Sequence, residues 1–144
     1  MNEELKKNII LEHYQNPINK GLKNKENYYT INMNSESCID DLNFMVKIER
    51  GVIKDAYFDG DACVISTAAS SIMINTIIGK EVEEVLKIID NYEAMINEES
   101  YDKELLGEAI VFDEIYKQAN RKKCALLPFM GLRKIIEMEK QNEK

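Results

Sequence analysis

The sequence predicts an α+β fold, a three-stranded antiparallel sheet packed against several helices, and three observations carry that prediction. Leu42, Phe44, Val46 and Ile48 alternate with Asn43, Met45, Lys47 and Glu49, the period of a strand with one buried face. Beyond residue 63 the apolar positions recur at helical spacing instead: Val64, Ile65, Ala68, Ala69, Ile72, Met73, Thr76 and Ile77, then Val82, Val85, Leu86, Ile89 and Tyr92. The strands precede most of the helices, an order that gives α+β and not alternating α/β. At 144 residues and 44% hydrophobic, the chain is the size of one ordinary domain that can bury a core without staples. Residues 1–144 are therefore expected to form a single domain.

Taken in order, residues 3–15 carry Leu5, Ile9, Ile10 and His13 at helical intervals, and Asn16-Pro17 should end that helix. His13 is the only histidine; at a helix end it is expected to be structural and not a ligand or base. Residues 18–27 are polar and read as a loop, and Tyr28 to Met33 can form a short strand. After the strand at 42–48, Arg50-Gly51 supplies a turn, and Val52 to Phe58 can return antiparallel. Helices are expected over 64–78, closed by Gly79, and over 81–97. Residues 98–120 are irregular and acidic, with one or two short helices expected. Proline suits a first helical turn and not an interior, so Pro128 predicts that the last helix begins around 125–127.

Cysteine placement carries the chemistry. Cys63 stands between the turn Asp59-Gly60-Asp61-Ala62 and the helix beginning at residue 64. Unpaired N–H groups and the helix dipole at such a position favour thiolate, the form that binds metal or attacks sulfur. A lone cysteine more often packs as a small hydrophobe, but Cys38 and Cys124 accompany it. The expected helix start at 125–127 puts Cys124 in the same setting, and Cys38 has Asp40 two residues on. An odd number of widely spaced cysteines favours free thiols or metal ligands over disulfides. Three thiolates and one carboxylate can hold zinc, and three soft sulfurs also suit an iron–sulfur cluster. With no C-x-x-C pair, spacing alone does not select between metal binding and packed thiols.

A net charge of −7 opposes a nucleic-acid or anionic-membrane footprint. There is no apolar run of about 18 residues or more and no charged, apolar, small-residue leader, so a cytoplasmic protein with no membrane insertion is expected. The one compact basic run, Arg121-Lys122-Lys123, directly precedes Cys124.

Four blocks resemble the iron–sulfur cluster scaffold family, the IscU and NifU N-terminal domains and their SufU relatives. They are Leu11-Glu12-His13-Tyr14-Gln15-Asn16-Pro17-Ile18-Asn19-Lys20-Gly21, Cys38-Ile39-Asp40, Gly60-Asp61-Ala62-Cys63-Val64-Ile65-Ser66, and Arg121-Lys122-Lys123-Cys124-Ala125-Leu126-Leu127. Lys123 before the third cysteine, where IscU-type scaffolds carry His, and the long stretch between Cys63 and Cys124 are similar to the SufU branch. The resemblance implies zinc held by Cys38, Asp40, Cys63 and Cys124, or alternatively an iron–sulfur cluster. It implies a sulfurtransferase in which Cys38 accepts persulfide sulfur from a SufS-type cysteine desulfurase, with downstream iron–sulfur assembly proteins as further partners. Arg121 and Lys123 would contact the partner or support the metal ligands. The alternative it implies is a scaffold that assembles and passes on a cluster. The chain departs from the family pattern at Glu36, Ile39, Ala62, Gln118-Ala119-Asn120 and Phe129, most of them around the site; Ile at 39 resists backbone angles that glycine adopts.

Overall fold

The computed structural model describes residues 1–22, 26–34 and 39–142. Cys38 and Glu36 lie outside the described residues.

Helix α1 spans Glu3–Gln15, started by Asn2, whose side chain accepts the Leu5 N–H at 2.8 Å, with Glu3 and Glu4 in the first turn where the dipole favours them. Strands β1 (Tyr29–Asn34), β2 (Asp41–Glu49) and β3 (Val52–Asp61) form an antiparallel meander in the order β1-β2-β3. Residues 19–21 run along the outer edge of β3 and bond to Phe58, so that edge is covered. Leu42, Phe44 and Val46 face the core as their alternation predicts, with Ile48 half-buried at the end. Met45 is buried as well, on the opposite face, between Thr30 and Tyr57 of the adjoining strands.

Helix α2 (Val64–Ile77) is the centre of the molecule. Every residue from Ser66 to Ile74 is buried, so it hides most of its circumference and not the single face the periodicity suggests. The run Ala68-Ala69-Ser70-Ser71 explains this, because small side chains let α1 and the last helix approach from two sides. Helix α3 (Val82–Ile96) is amphipathic and buries Val85, Ile89 and Tyr92 as expected. The irregular stretch holds three short 3₁₀ segments, Lys103–Leu105, Gly107–Phe112 and Ile115–Lys117.

The last helix corrects the sequence expectation. Helix α4 runs Ala119–Asn142, about two turns earlier than Pro128 suggests, and carries that proline in its interior. A proline there has no N–H for the carbonyl four residues back, which belongs to Cys124. The Ser66 hydroxyl of α2 lies 3.1 Å from that carbonyl oxygen and can donate to it. A tertiary contact can thus stand in for the helical bond that proline removes. α4 crosses the sheet closely at Gly131, where a Cβ would lie 2.9 Å from Met33 Cγ. Phe129, at the position of a family departure, is fully buried and stacks on Tyr92 with centroids 3.7 Å apart.

Candidate metal centre

The start of α2 meets the second turn of α4 and the residue before β2, and Cys63, Cys124 and Asp40 converge there. Cys63 is the N-cap of α2, as its position after the turn predicts: its Sγ accepts the Ser66 N–H at 3.5 Å and its carbonyl accepts the Thr67 N–H at 3.0 Å. Gly60 makes the approach possible. Its φ of +132° lies in the region glycine favours, and a Cβ there would collide with the Asp41 carbonyl oxygen. Ala62, by contrast, is not among the positive-φ positions of the described residues, so that departure from glycine needs no special backbone.

Cys124 is buried, but it is the sixth residue of α4 and not at its start, so it does not share the helix-start setting of Cys63. Its thiol can donate to the Asn120 carbonyl at 3.7 Å. Asp40 is 2% exposed and faces the start of α2. Its Oδ1 accepts the Cys63 N–H at 2.8 Å, and its Oδ2 contacts the Ser66 hydroxyl and lies 3.9 Å from Cys63 Sγ. One ligand atom from each of Asp40, Cys63 and Cys124 lies within 4.8 Å of the others. Two thiols and a carboxylate, contributed by three separate parts of the chain, are a donor set that fits zinc with one position left for a fourth ligand.

Cys63 opens onto a surface pocket of about 510 Å³ lined by Tyr14, Ile39, Ala62, Cys63, Val64, Ile65, Gln118 and Arg121. Arg121 is thus at the rim of the cysteine pocket, whereas Lys123 is exposed on α4 and does not line it. Ile39 is 74% exposed at the same rim. The Cys38 expected beside these groups lies outside the described residues. His13 stays apart from the cluster: it is buried, with Nδ1 2.7 Å from Ser71 Oγ and Nε2 3.1 Å from Glu108 Oε1, and so joins α1 to α2 and the second 3₁₀ segment.

Ser66 was not identified from the sequence as part of the site. Its N–H reaches Cys63, and its hydroxyl reaches both Asp40 and the Cys124 carbonyl. The signal available was its place three residues after a capping residue, where a polar side chain often turns back on the helix start.

Comparison with known proteins places the chain among iron–sulfur cluster assembly proteins. The model of the NifU-like N terminal domain matches residues 5–125. The chain is 32% identical over 138 residues to the zinc-dependent sulfurtransferase SufU of Bacillus subtilis (strain 168), covering 95% of this chain and 92% of that protein. It is 37% identical over 101 residues to the iron–sulfur cluster assembly scaffold protein IscU of Thermotoga maritima, covering 70% of this chain and 71% of that protein. A solved structure of a putative iron–sulfur cluster assembly scaffold protein for the SUF system, from Fervidobacterium islandicum AW-1, superposes with a TM-score of 0.77 at 30% identity, covering 87% of this chain and 91% of that one.

Proposed function

The chain belongs to the family of NifU-like N-terminal domains, a family of iron–sulfur cluster assembly proteins, and from that premise we propose that it is a zinc-dependent sulfurtransferase accepting sulfur from a SufS-type cysteine desulfurase. The observation that carries the reading is the convergence of Asp40, Cys63 and Cys124 within 4.8 Å. Those three residues would hold the zinc together with Cys38. When bound, zinc keeps cysteine sulfur as thiolate without redox chemistry of its own. Cys38 is the acceptor. Its thiolate attacks the outer sulfur of the donor's persulfide; the new S–S bond forms as the donor's S–S bond breaks, and the donor leaves as thiolate with no net oxidation. Arg121 stands beside the cysteine pocket, where a guanidinium can meet an anionic sulfur or a partner's carboxylate.

A second reading, a scaffold that holds an iron–sulfur cluster as cargo and passes it to downstream assembly proteins, is supported by the likeness to the Thermotoga protein. The metal separates the two. After anaerobic purification and reconstitution, the first reading predicts stoichiometric zinc and no lasting iron–sulfur chromophore, together with faster alanine release by the desulfurase. Cys38→Ala should abolish that stimulation. A wild-type chain that leaves alanine production unchanged would refute the sulfurtransferase reading.

A further inference from the structure

We propose that Ser66 and Pro128 form one device that fixes where Cys124 stands relative to Cys63 and Asp40, with Ser66 the positioning residue. The inference rests on the metal-binding reading above and deepens it.

Proline is unfavourable where Pro128 stands. Pro128 is the tenth residue of α4 and lies in its interior, and its ring both lacks an N–H and crowds the carbonyl of Cys124. A buried carbonyl that loses its helical N–H to a proline gains from another donor. Cys124 is 2% exposed, and the hydroxyl that reaches its carbonyl, at 3.1 Å, belongs to a residue with no exposed surface at all. Ser66 is held in turn by α2, its N–H on Cys63 Sγ and its own carbonyl accepting the Ser70 hydroxyl at 2.8 Å. The bond from Ser66 to Cys124 therefore joins the capped start of α2 to the second turn of α4, and these are the two places from which the thiols come.

The hydroxyl carries one proton and has two acceptors, the Asp40 carboxylate and the Cys124 carbonyl. The metal-free chain shares that proton between the two, and a carboxylate whose charge is met by a cation would be the weaker acceptor, so filling the site would strengthen a tie to the carbonyl that is already made in part. Ser66 is thus linked to all three described donors, although it offers no ligand that the cluster needs.

The test is a two-residue cycle of Ser66→Ala and Pro128→Ala, because alanine at 128 supplies the helical N–H that proline removes. Cobalt(II) serves as the probe, read by competition and by its d–d and thiolate charge-transfer bands. Ser66→Ala should weaken cobalt retention about tenfold in the Pro128 chain and several-fold less in the Pro128→Ala chain, and each single change should shift the d–d envelope. The same loss in both backgrounds would overturn the inference, since Ser66 would then act through Asp40 alone. The metal-free chain gives a second reading of the pair: Ser66→Ala should raise the unfolding equilibrium constant more with proline than with alanine at 128, and an equal effect overturns the pairing. A wild-type chain that binds no cobalt refutes the metal-binding reading and the positioning role with it, while the unfolding cycle still decides whether the two residues are coupled.

Discussion

Replacing Asp40 separates a ligand from a helix cap. Asp40 is 2% exposed and accepts the Cys63 N–H at 2.8 Å through one oxygen while the other faces the Ser66 hydroxyl and the Cys63 thiol. In Asp40→Asn the amide oxygen can keep the Cys63 bond, and the charge is lost. Hydrogen bonds to a charged acceptor contribute about 1.5–3 kcal/mol each, but burying a carboxylate costs several kcal/mol in desolvation. These oppose each other, so the metal-free stability of Asp40→Asn should stay within about 1 kcal/mol of wild type. Zinc retention should not. Losing a residue that merely supports a ligand costs about 10–100-fold in affinity, so losing a ligand should cost at least about 100-fold, or about 2.7 kcal/mol. Asp40→Ala also strips the Cys63 N–H of its acceptor and should cost a further ~1–3 kcal/mol of metal-free stability. The assays are chelator competition for zinc and urea unfolding of the metal-free chain. Wild-type zinc affinity in Asp40→Asn would show that the carboxylate is not a ligand and would refute the donor set drawn here.

Gly60→Ala should destabilise the chain by about 2–5 kcal/mol, from backbone strain and the displacement of Asp41 together, because the new Cβ meets the Asp41 carbonyl oxygen and lies 3.1 Å from Leu42 Cα. Urea unfolding with an unchanged midpoint would contradict the close pairing of β2 and β3 beside Asp40. His13→Ala removes the bonds to Ser71 and Glu108 that join α1 to the rest, and should cost about 2–3 kcal/mol. It should leave zinc stoichiometry as it is, and loss of the metal on this change alone would contradict the purely structural role of His13.

Much of the fold was legible because each element speaks in its own period. The alternation from Leu42 to Glu49 and the helical spacing after Cys63 placed β2, α2 and α3 within a residue or two, and Asn16-Pro17 marked the end of α1. What failed was a local rule applied where a distant residue decides. Pro128 reads as a helix start only so long as no distant group can meet the Cys124 carbonyl, and Ser66, 58 residues away in sequence, lies within hydrogen-bond reach of it. The burial of Met45 on the outer face is hidden for the same reason, since alternation says which side chains share a face and not what later covers it. For the site, Cys63 as a capping thiol followed from the turn and the helix beside it. The convergence of Cys124 and Asp40 on it did not follow from spacing; it was implied by the resemblance of four short blocks and is reached in space through α2. The basic run before Cys124 divides accordingly, Arg121 at the pocket and Lys123 away from it.

The most direct test of the account is the mass of the chain after incubation with a SufS-type cysteine desulfurase and cysteine, followed by peptide mapping of the thiols. One added sulfur atom is expected, carried by Cys38, removed by reductant and missing in Cys38→Ala. A zinc-loaded wild-type chain that gains no sulfur while the desulfurase turns over would contradict it.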